Sequence, residues 1–429
     1  MTTKKSKKET VCVIGLGYVG LPLAVRSKER GYEVIGIELD QKKVDLINKK
    51  ISPIEDDFLT KNLPIFPFKA TSNAKEIKKA DIVLICVPTP VDQFHNPDLS
   101  PVIGACEMVA TNLKKGALVV LESTVNPGVS EEVVRPIFES HKHKIGQDVF
   151  IAHCPERINP GDPKWNVTNI PRVVGAFTPK GLAKAKTFYE SIVDGIIKPM
   201  KHIREAEACK IVENSFRDIN IAFVNELAKS FDVLGIDVKD VIDGASTKPF
   251  AFMAHYPACG IGGHCIPVDP YYLIERAKKA GFDHKFLKTS RAINNSMPDY
   301  TVELLQDKLN EIKLPLNGTN VGILGISYKA NVDDDRESPF YGVVKALKKH
   351  KANIHTFDPH IKDKSTCKSL GALLKKSQAI ILVTSHREFE ILTGDLLKKN
   401  GIKVIIDGKN FLNKDEIKKA GVIYKGIGR

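Results

Sequence analysis

"VCVIGLGYVGLPLA", residues 11–24, decides the fold of the N-terminal part of this 429-residue chain. Val11, Cys12, Val13 and Ile14 read as a buried strand, and Gly15, Gly17 and Gly20 follow at the spacing of a dinucleotide-binding turn. That turn must be tight, must let the backbone approach a pyrophosphate, and must open the positive end of a helix. A lone GxGxxG is a weak signal. Here it leaves a strand, starts a helix running to about Arg30, and precedes a second strand, "EVIGIEL", with Glu38 near its end. A carboxylate about 20 residues beyond the first glycine accepts from the ribose hydroxyls and repels a 2′-phosphate, which favours NAD over NADP. Tyr18, Val19 and Lys43 are counted with the glycines and Glu38 as cofactor-binding positions. The alternative is that the glycines only close a strand–helix turn.

Further strands alternate with helical stretches: "DIVLICV" at 81–87, "GALVVLEST" at 116–124 and "DVFIAHC" at 148–154. Such alternation indicates a parallel sheet with right-handed crossovers, giving an NAD-binding Rossmann-type domain over residues 1–200. Ligands of open α/β sheets gather outside the carboxyl ends of the strands. Pro88 and Thr89 of "VPTP", and Ser123 and Thr124 of "ESTV", stand at such ends, although each is also an ordinary turn residue.

From Arg204 the period becomes helical, and "EAEACKIVENSFRDINIAFVNELAKSFDVLGI" reads as one long helix ending near Gly235. It opens a central helical domain over residues 201–300. At 320–327, "NVGILGIS" again runs an apolar strand into a glycine turn, and "ANIHTFDP", "AIILVTS" and "KVIIDGK" follow. Residues 301–429 therefore form a second, smaller α/β domain of Rossmann-like kind. The two strand–glycine openings are related in kind without being a sequence repeat.

Composition bounds the function classes. Apolar content of 42% and charged content of 27% fit a globular protein. No stretch approaches the roughly 20 apolar residues of a membrane span, and the basic N-terminus "MTTKKSKKET" lacks a signal peptide's apolar centre. A cytoplasmic protein without membrane insertion is expected. The net charge of +13 rests on lysines at helical spacing, as in "KKVDLINKK", which is a solvated face rather than a nucleic-acid footprint. The eight cysteines include no CxxC pair, so neither a metal site nor a disulfide framework is indicated.

One cysteine differs in its surroundings. "GIGGHCIPVDPYYL", 260–273, sets Cys265 among Gly260, Gly262, Gly263, Pro267 and Pro270, in a stiff loop rather than a core strand. A thiol beside a nicotinamide site suits covalent capture of an aldehyde, if a cation or a helix N-terminus stabilises the thiolate. "DPYYLIERAKKAG" supplies the helix, with Asp269 as N-cap and Pro270 as first helical residue. Lys210 and Asn214 lie four apart, on one face of the long helix, where a lysine can move a proton or steady an oxyanion. Alone, such a pair also suits a solvated stripe.

Taken together, "VIGLGYVGLPLA", "VPTP", "ESTVNPG", "PERINPGD", "KIVENSFRDINIAFVNE", "GIGGHCIPVDP" and "GISYKANVDDDRESP" resemble the UDP-glucose/GDP-mannose dehydrogenase family, in order and over nearly the whole chain. The blocks around "TKPFAFM" and the cysteine look closest to members that oxidise UDP-N-acetylhexosamines, UDP-N-acetylglucosamine first, with the mannosamine and galactosamine epimers and UDP-glucose as alternatives. The resemblance implies four-electron oxidation of the sugar C6 alcohol to a carboxylate with two NAD and one water, for surface polysaccharide or glycan precursors. It implies Cys265 as nucleophile and Glu156 as acid/base near the thioester water. Lys210 and Asn214 would hold the C6 oxygen, with Thr124 and Asp269 ordering water. Arg157, Ile158 and Asn159 beside Glu156, the loop glycines, Tyr328 and Lys329 would bind the UDP-sugar, and Arg336 would approach the cofactor. A homodimer through the long helix is expected as well.

The loop "YPACGIGG" departs from the family's usual "PGPGxGG", so Ala258 and Cys259 alter a stretch expected to touch the nucleotide. His264 receives no role, since neighbouring side chains on an extended loop diverge. Two other readings compete. A single-oxidation 3-hydroxy-acid or phosphogluconate-type dehydrogenase needs neither the thiol nor the second sheet. A nucleic-acid-binding protein would need an incomplete site.

Overall fold

The computed structural model describes residues 9–92, 97–158, 164–263 and 265–429. The architecture is mixed α/β. By compactness the chain divides into two units, one comprising the residues through Glu213 with Tyr271–Ala280, the other Asn214–Pro270 with Gly281–Arg429.

The first unit is built on eight strands: β1 (Thr10–Ile14), β2 (Glu33–Ile37), β3 (Lys69–Thr71), β4 (Ile82–Ile85), β5 (Ala117–Leu121), β6 (Val149–His153), β7 (Arg172–Ala176) and β8 (Ile197–Pro199). Their order in the sheet is β3-β2-β1-β4-β5-β6-β7-β8. Neighbours are parallel except β6 and β7, which run antiparallel. The apolar runs of β4, β5 and β6 follow from burial on both faces. Alternate side chains feed two cores: Val11, Val13 and Leu84 pack on one face, Cys12, Ile14 and Val83 on the other. The order reverses between β1 and β4, so the crevice of this sheet opens beside the glycine turn. The sequence reading omits β3, β7 and β8. β3 and β8 span three residues each, too few for a period, and β7 begins on an arginine.

The second unit carries β9 (Asn320–Leu324), β10 (Asn353–Phe357), β11 (Ala379–Leu382), β12 (Val404–Asp407) and β13 (Ile423–Gly426), all parallel, in the order β10-β9-β11-β12-β13. Its cores again alternate, with Val321, Ile323 and Ile381 on one face and Ile380, Leu382 and Ile405 on the other.

The long helix spans Ile203–Leu234 and ends at Gly235, whose φ of +70° suits a left-handed C-terminal residue. The helix after the cysteine loop spans Asp269–Lys279. No described helix is long and apolar enough to cross a membrane.

Candidate active site

The glycine turn has the geometry a dinucleotide demands. Gly15 sits at φ +86°, and its amide donates to the Ile37 carbonyl at 2.8 Å, tying the turn to β2. A Cβ on Gly20 would lie 2.0 Å from the Gly15 carbonyl oxygen, so only glycine lets the helix Gly20–Glu29 start this close to the turn. A Cβ on Gly17 would meet nothing within 4 Å, which leaves open space over the turn for a ligand. Tyr18 is exposed and Val19 half-buried, ahead of the helix. Glu38 follows β2, accepting from the Leu16 amide at 3.0 Å with one oxygen and from the Leu39 and Asp40 amides with the other. These residues fit NAD. Lys43 is half-buried on the next helix, Gln41–Asn48.

At the neighbouring strand ends, Pro88 is exposed, and the Thr89 carbonyl accepts the Tyr272 hydroxyl. The Ser123 hydroxyl donates to the Val87 carbonyl at 2.6 Å, strapping the end of β5 to that of β4. Thr124 is half-buried. The following loop is held by Glu207 of the long helix, a buried carboxylate accepting the amides of Gly128 and Ser130.

Glu156 stands just past β6, 8% exposed. One of its oxygens accepts the Arg157 and Ile158 amides at 2.6 and 2.7 Å, and the other accepts Arg172 Nη2 at 2.8 Å. Arg157 pairs with Glu213 and donates to the Pro171 carbonyl, while Ile158 packs against the core. Asn159 and His264 lie outside the described residues.

In the second unit, the thiol loop is fixed from behind. Gly263, at φ +87°, donates to the Arg336 carbonyl, and a Cβ there would lie 2.9 Å from the Tyr328 ring. A Cβ on Gly262 would come still closer, 2.6 Å from the Tyr328 Cβ, and Gly260 faces Pro339. The Cys265 carbonyl accepts the Val268 and Asp269 amides at 3.1 and 2.8 Å, so the cysteine opens the turn that leads into the helix N-terminus. The helix begins at Asp269 itself, which places this residue in the first turn rather than before it. Its carboxylate accepts the Asn214 side-chain amide and is nearly buried. The Arg336 guanidinium is held by Asp334 and lies within electrostatic reach of Cys265, while burial pushes the Tyr328 hydroxyl up. Lys329 is half-buried, and its carbonyl accepts the Ser327 hydroxyl. Lys210 is buried on the long helix, one turn before Asn214. Cys259, the departure in the loop, is fully buried: its amide donates to the Gly408 carbonyl and its sulfur lies 3.6 Å from the Val383 carbonyl. This residue anchors the loop on the second sheet.

Sequence reasoning missed Glu122, Arg172, Tyr189 and Glu207. The available signal was a charge beginning or ending an apolar strand, as in "VVLES" and "PRVVG".

Three consecutive profiles of the UDP-glucose/GDP-mannose dehydrogenase family match: its NAD binding domain over residues 9–193, its central domain over 204–296, and its UDP binding domain over 322–414. The chain belongs to this family. It is accordingly an NAD-dependent UDP-sugar dehydrogenase, an oxidoreductase with a UDP-binding C-terminal part. It is 36% identical to a UDP-N-acetyl-D-mannosamine dehydrogenase of Methanococcus vannielii, over 99% of this chain and 98% of that protein. It is 33% identical to a UDP-N-acetyl-D-glucosamine 6-dehydrogenase of Pseudomonas aeruginosa, over 95% and 98%. The solved UDP-D-ManNAc dehydrogenase of Pyrococcus horikoshii superposes with a TM-score of 0.91 at 33% identity, covering 98% of this chain and 99% of that one.

Proposed function

We propose that this enzyme oxidises C6 of a UDP-N-acetylhexosamine to the carboxylate, in two oxidations through a thioester on Cys265. The observation that carries the reading is the thiol loop, whose glycines pack against Tyr328 and whose Cys265 opens the turn leading into a helix N-terminus, where a thiolate finds positive potential. Residues 1–200 would hold NAD, 201–300 the thiol loop and 301–429 the UDP-sugar. Gly15, Gly17, Gly20 and Glu38 would hold the cofactor, with Tyr18, Val19, Lys43, Pro88, Thr89, Ser123, Thr124 and Arg336 around it. NAD, when bound, accepts the hydride of each oxidation.

Lys210 takes the proton of the C6 hydroxyl as it becomes an aldehyde, and Asn214 donates to the same oxygen. The Cys265 sulfur then bonds to the carbonyl carbon. Loss of a second hydride from that carbon leaves the thioester. A water ordered by Thr124 and Asp269 gives its proton to Glu156 as its oxygen bonds to the carbonyl carbon, and the C–S electron pair returns to sulfur. The sum is one alcohol and one water converted to one carboxylate, with two hydrides and three protons released. Arg157, Ile158, Asn159, Gly260, Gly262, Gly263, Tyr328 and Lys329 form the sugar-nucleotide subsite.

Relatives named for UDP-N-acetylglucosamine and for UDP-N-acetylmannosamine are nearly equally similar. Both epimers are therefore candidates, UDP-N-acetylglucosamine first, with UDP-N-acetylgalactosamine and UDP-glucose behind them. The exposed Val212, Phe216 and Phe223 along the long helix support a homodimer on that surface. The setting would be cytoplasmic synthesis of polysaccharide precursors.

The test is Cys265→Ser with NADH counted against a panel of UDP-sugars. The wild type should yield two NADH per sugar without free aldehyde. The variant should bind NAD and UDP-sugar but turn over at least about 100-fold more slowly. Wild-type turnover in the variant, or one NADH per sugar with trappable aldehyde, removes the thioester route.

A further inference from the structure

A buried ionic cluster lies where β5 and β6 end and β7 begins. β7 is antiparallel to β6, with Ala152 opposite Ala176 and His153 opposite Gly175. Continuing that register sets Arg172, the first residue of β7, beside the residues that follow β6, at the carboxyl edge where ligands of such sheets bind. The Arg172 guanidinium is fully buried between two acids. Its Nη1 donates to Glu122 at 3.0 Å and its Nη2 to Glu156 at 2.8 Å. Tyr189 closes the cluster, its hydroxyl donating to the other Glu122 oxygen and its ring centroid 5.5 Å from the guanidinium carbon.

Stability does not account for this arrangement. Buried ion clusters stabilise no more than well-packed apolar side chains of similar volume, and this one leaves Arg172 Nε without a partner. What the cluster does supply is a carboxylate that cannot turn. Three donors hold Glu156, whose side chain keeps 10% of its exposure. Burial pushes Glu122 up to about 7 against the pull of Arg172, and the nearby Glu156 charge adds to the rise. Among the described residues, Cys86, Cys154 and Tyr189 also surround the cluster, all pushed up by burial and hence neutral.

We propose that Arg172 and Glu122 are positioning residues for Glu156: Arg172 fixes the carboxylate's orientation, and Glu122, sharing the same cation, sets how much of its charge Glu156 receives. This rests on the reading of Glu156 as the base that activates the thioester water. Above the pH at which Glu122 ionises, Glu122→Gln removes a negative charge near Glu156 and frees Arg172 to pair with it more fully. Arg172→Lys keeps a cation but cannot bridge both acids.

The experiment compares Glu122→Gln, Arg172→Lys and Glu156→Gln by steady-state turnover, pH profile and pre-steady-state NADH release. Glu156→Gln should release NADH in a burst and then stall at the thioester. Arg172→Lys should show a burst and lose about 10- to 100-fold in kcat, the scale of a misplaced catalytic group, with KM little changed. The acid limb of its kcat profile should move to higher pH, while Glu122→Gln should lose the inflection near neutral pH that titration of Glu122 beside Glu156 gives the wild type. If Arg172→Lys does not fold, the isosteric Glu122→Gln decides by whether that inflection is lost. Glu156→Gln with a burst, beside positioning variants with wild-type profiles and turnover, overturns the inference alone. Glu156→Gln with wild-type turnover overturns the reading of Glu156 and the inference together.

Discussion

The chain uses one device twice, and the two copies differ in what covers the acid. In the first unit, β1 runs into Gly15 at φ +86°, Gly15 bonds to the end of β2, and Glu38 accepts the Leu16 amide at 3.0 Å. In the second, β9 runs into Gly325 at φ +93°, Gly325 bonds to the end of β10, and Asp358 accepts the Ile326 amide at 2.6 Å. Beyond that point they part. Glu38 is half-exposed at the sheet edge, Gly17 leaves the space above the turn open, and a helix starts at Gly20. Asp358 is fully buried, accepting the amides of Ser327, His360 and Ile361, with His386 Nε2 at 3.1 Å. Ser327 stands where the first turn has Gly17, and its hydroxyl is within 3.1 Å of His386. The next helix begins only at Pro339. A strand–glycine–acid turn is thus a structural unit; it becomes a dinucleotide site only where the acid and the turn stay open.

Three substitutions break or sharpen this contrast. The largest effect belongs to Asp358→Asn. An amide NH2 must face backbone N–H donors there, which should cost about 3 kcal/mol or more of stability while leaving NAD affinity within about twofold. Hydrogen bonds from His386 and the Ser327 and Ile326 amides hold Asp358 well below the usual carboxylate range, overcoming its burial. A depressed folded pKa adds stability above the unfolded value near pH 4 that is lost as pH falls, so this variant should flatten the acid side of the stability curve. Chemical denaturation across that range checks both, and an equal NAD defect would erase the distinction.

Glu38→Gln should do the reverse. Its stability should fall by about 1 kcal/mol, while NAD binding weakens by about 1–3 kcal/mol and the preference over NADP narrows. Titration calorimetry with both dinucleotides measures this; an unchanged ratio means that Glu38 serves only the turn. The smallest change in stability is expected for Gly17→Ser, which gives the first turn the residue of the second. No atom lies within 4 Å of the added Cβ. Thermal stability should stay within about 0.5 kcal/mol, the range of substitutions that disturb no packing. NAD should bind more weakly, because the side chain takes the space of backbone approach, and unaltered binding would show that this space is not used.

Legibility in the sequence followed range. β1, β2, the long helix and the helix after Cys265 were readable because each carries its own period and punctuation. β3, β7 and β8 were not, because three to five residues without alternation or a terminal glycine look like loop. Cys265 stood out through its glycines and prolines. Cys259, six residues earlier, looked like a ligand-facing departure, and only its place against Gly408 and Val383 makes it an anchor.

The sequence by itself determined what neighbours along the chain can specify: the glycine spacing at 15–20 with Glu38, the stiff thiol loop, and Lys210 one helical turn from Asn214. Backbone conformation and helical phase depend on a few consecutive residues, so these are legible in one dimension. Tertiary structure decided which distant groups share a charge. Arg172 meets Glu156 and Glu122, 16 and 50 residues away, because β7 is antiparallel and begins at the sheet's carboxyl edge. His386 covers Asp358 from 28 residues away because β11, which precedes it, lies on the other side of β9 from β10. Strand order and direction are outcomes of burying both faces of a sheet, and no local spacing records them.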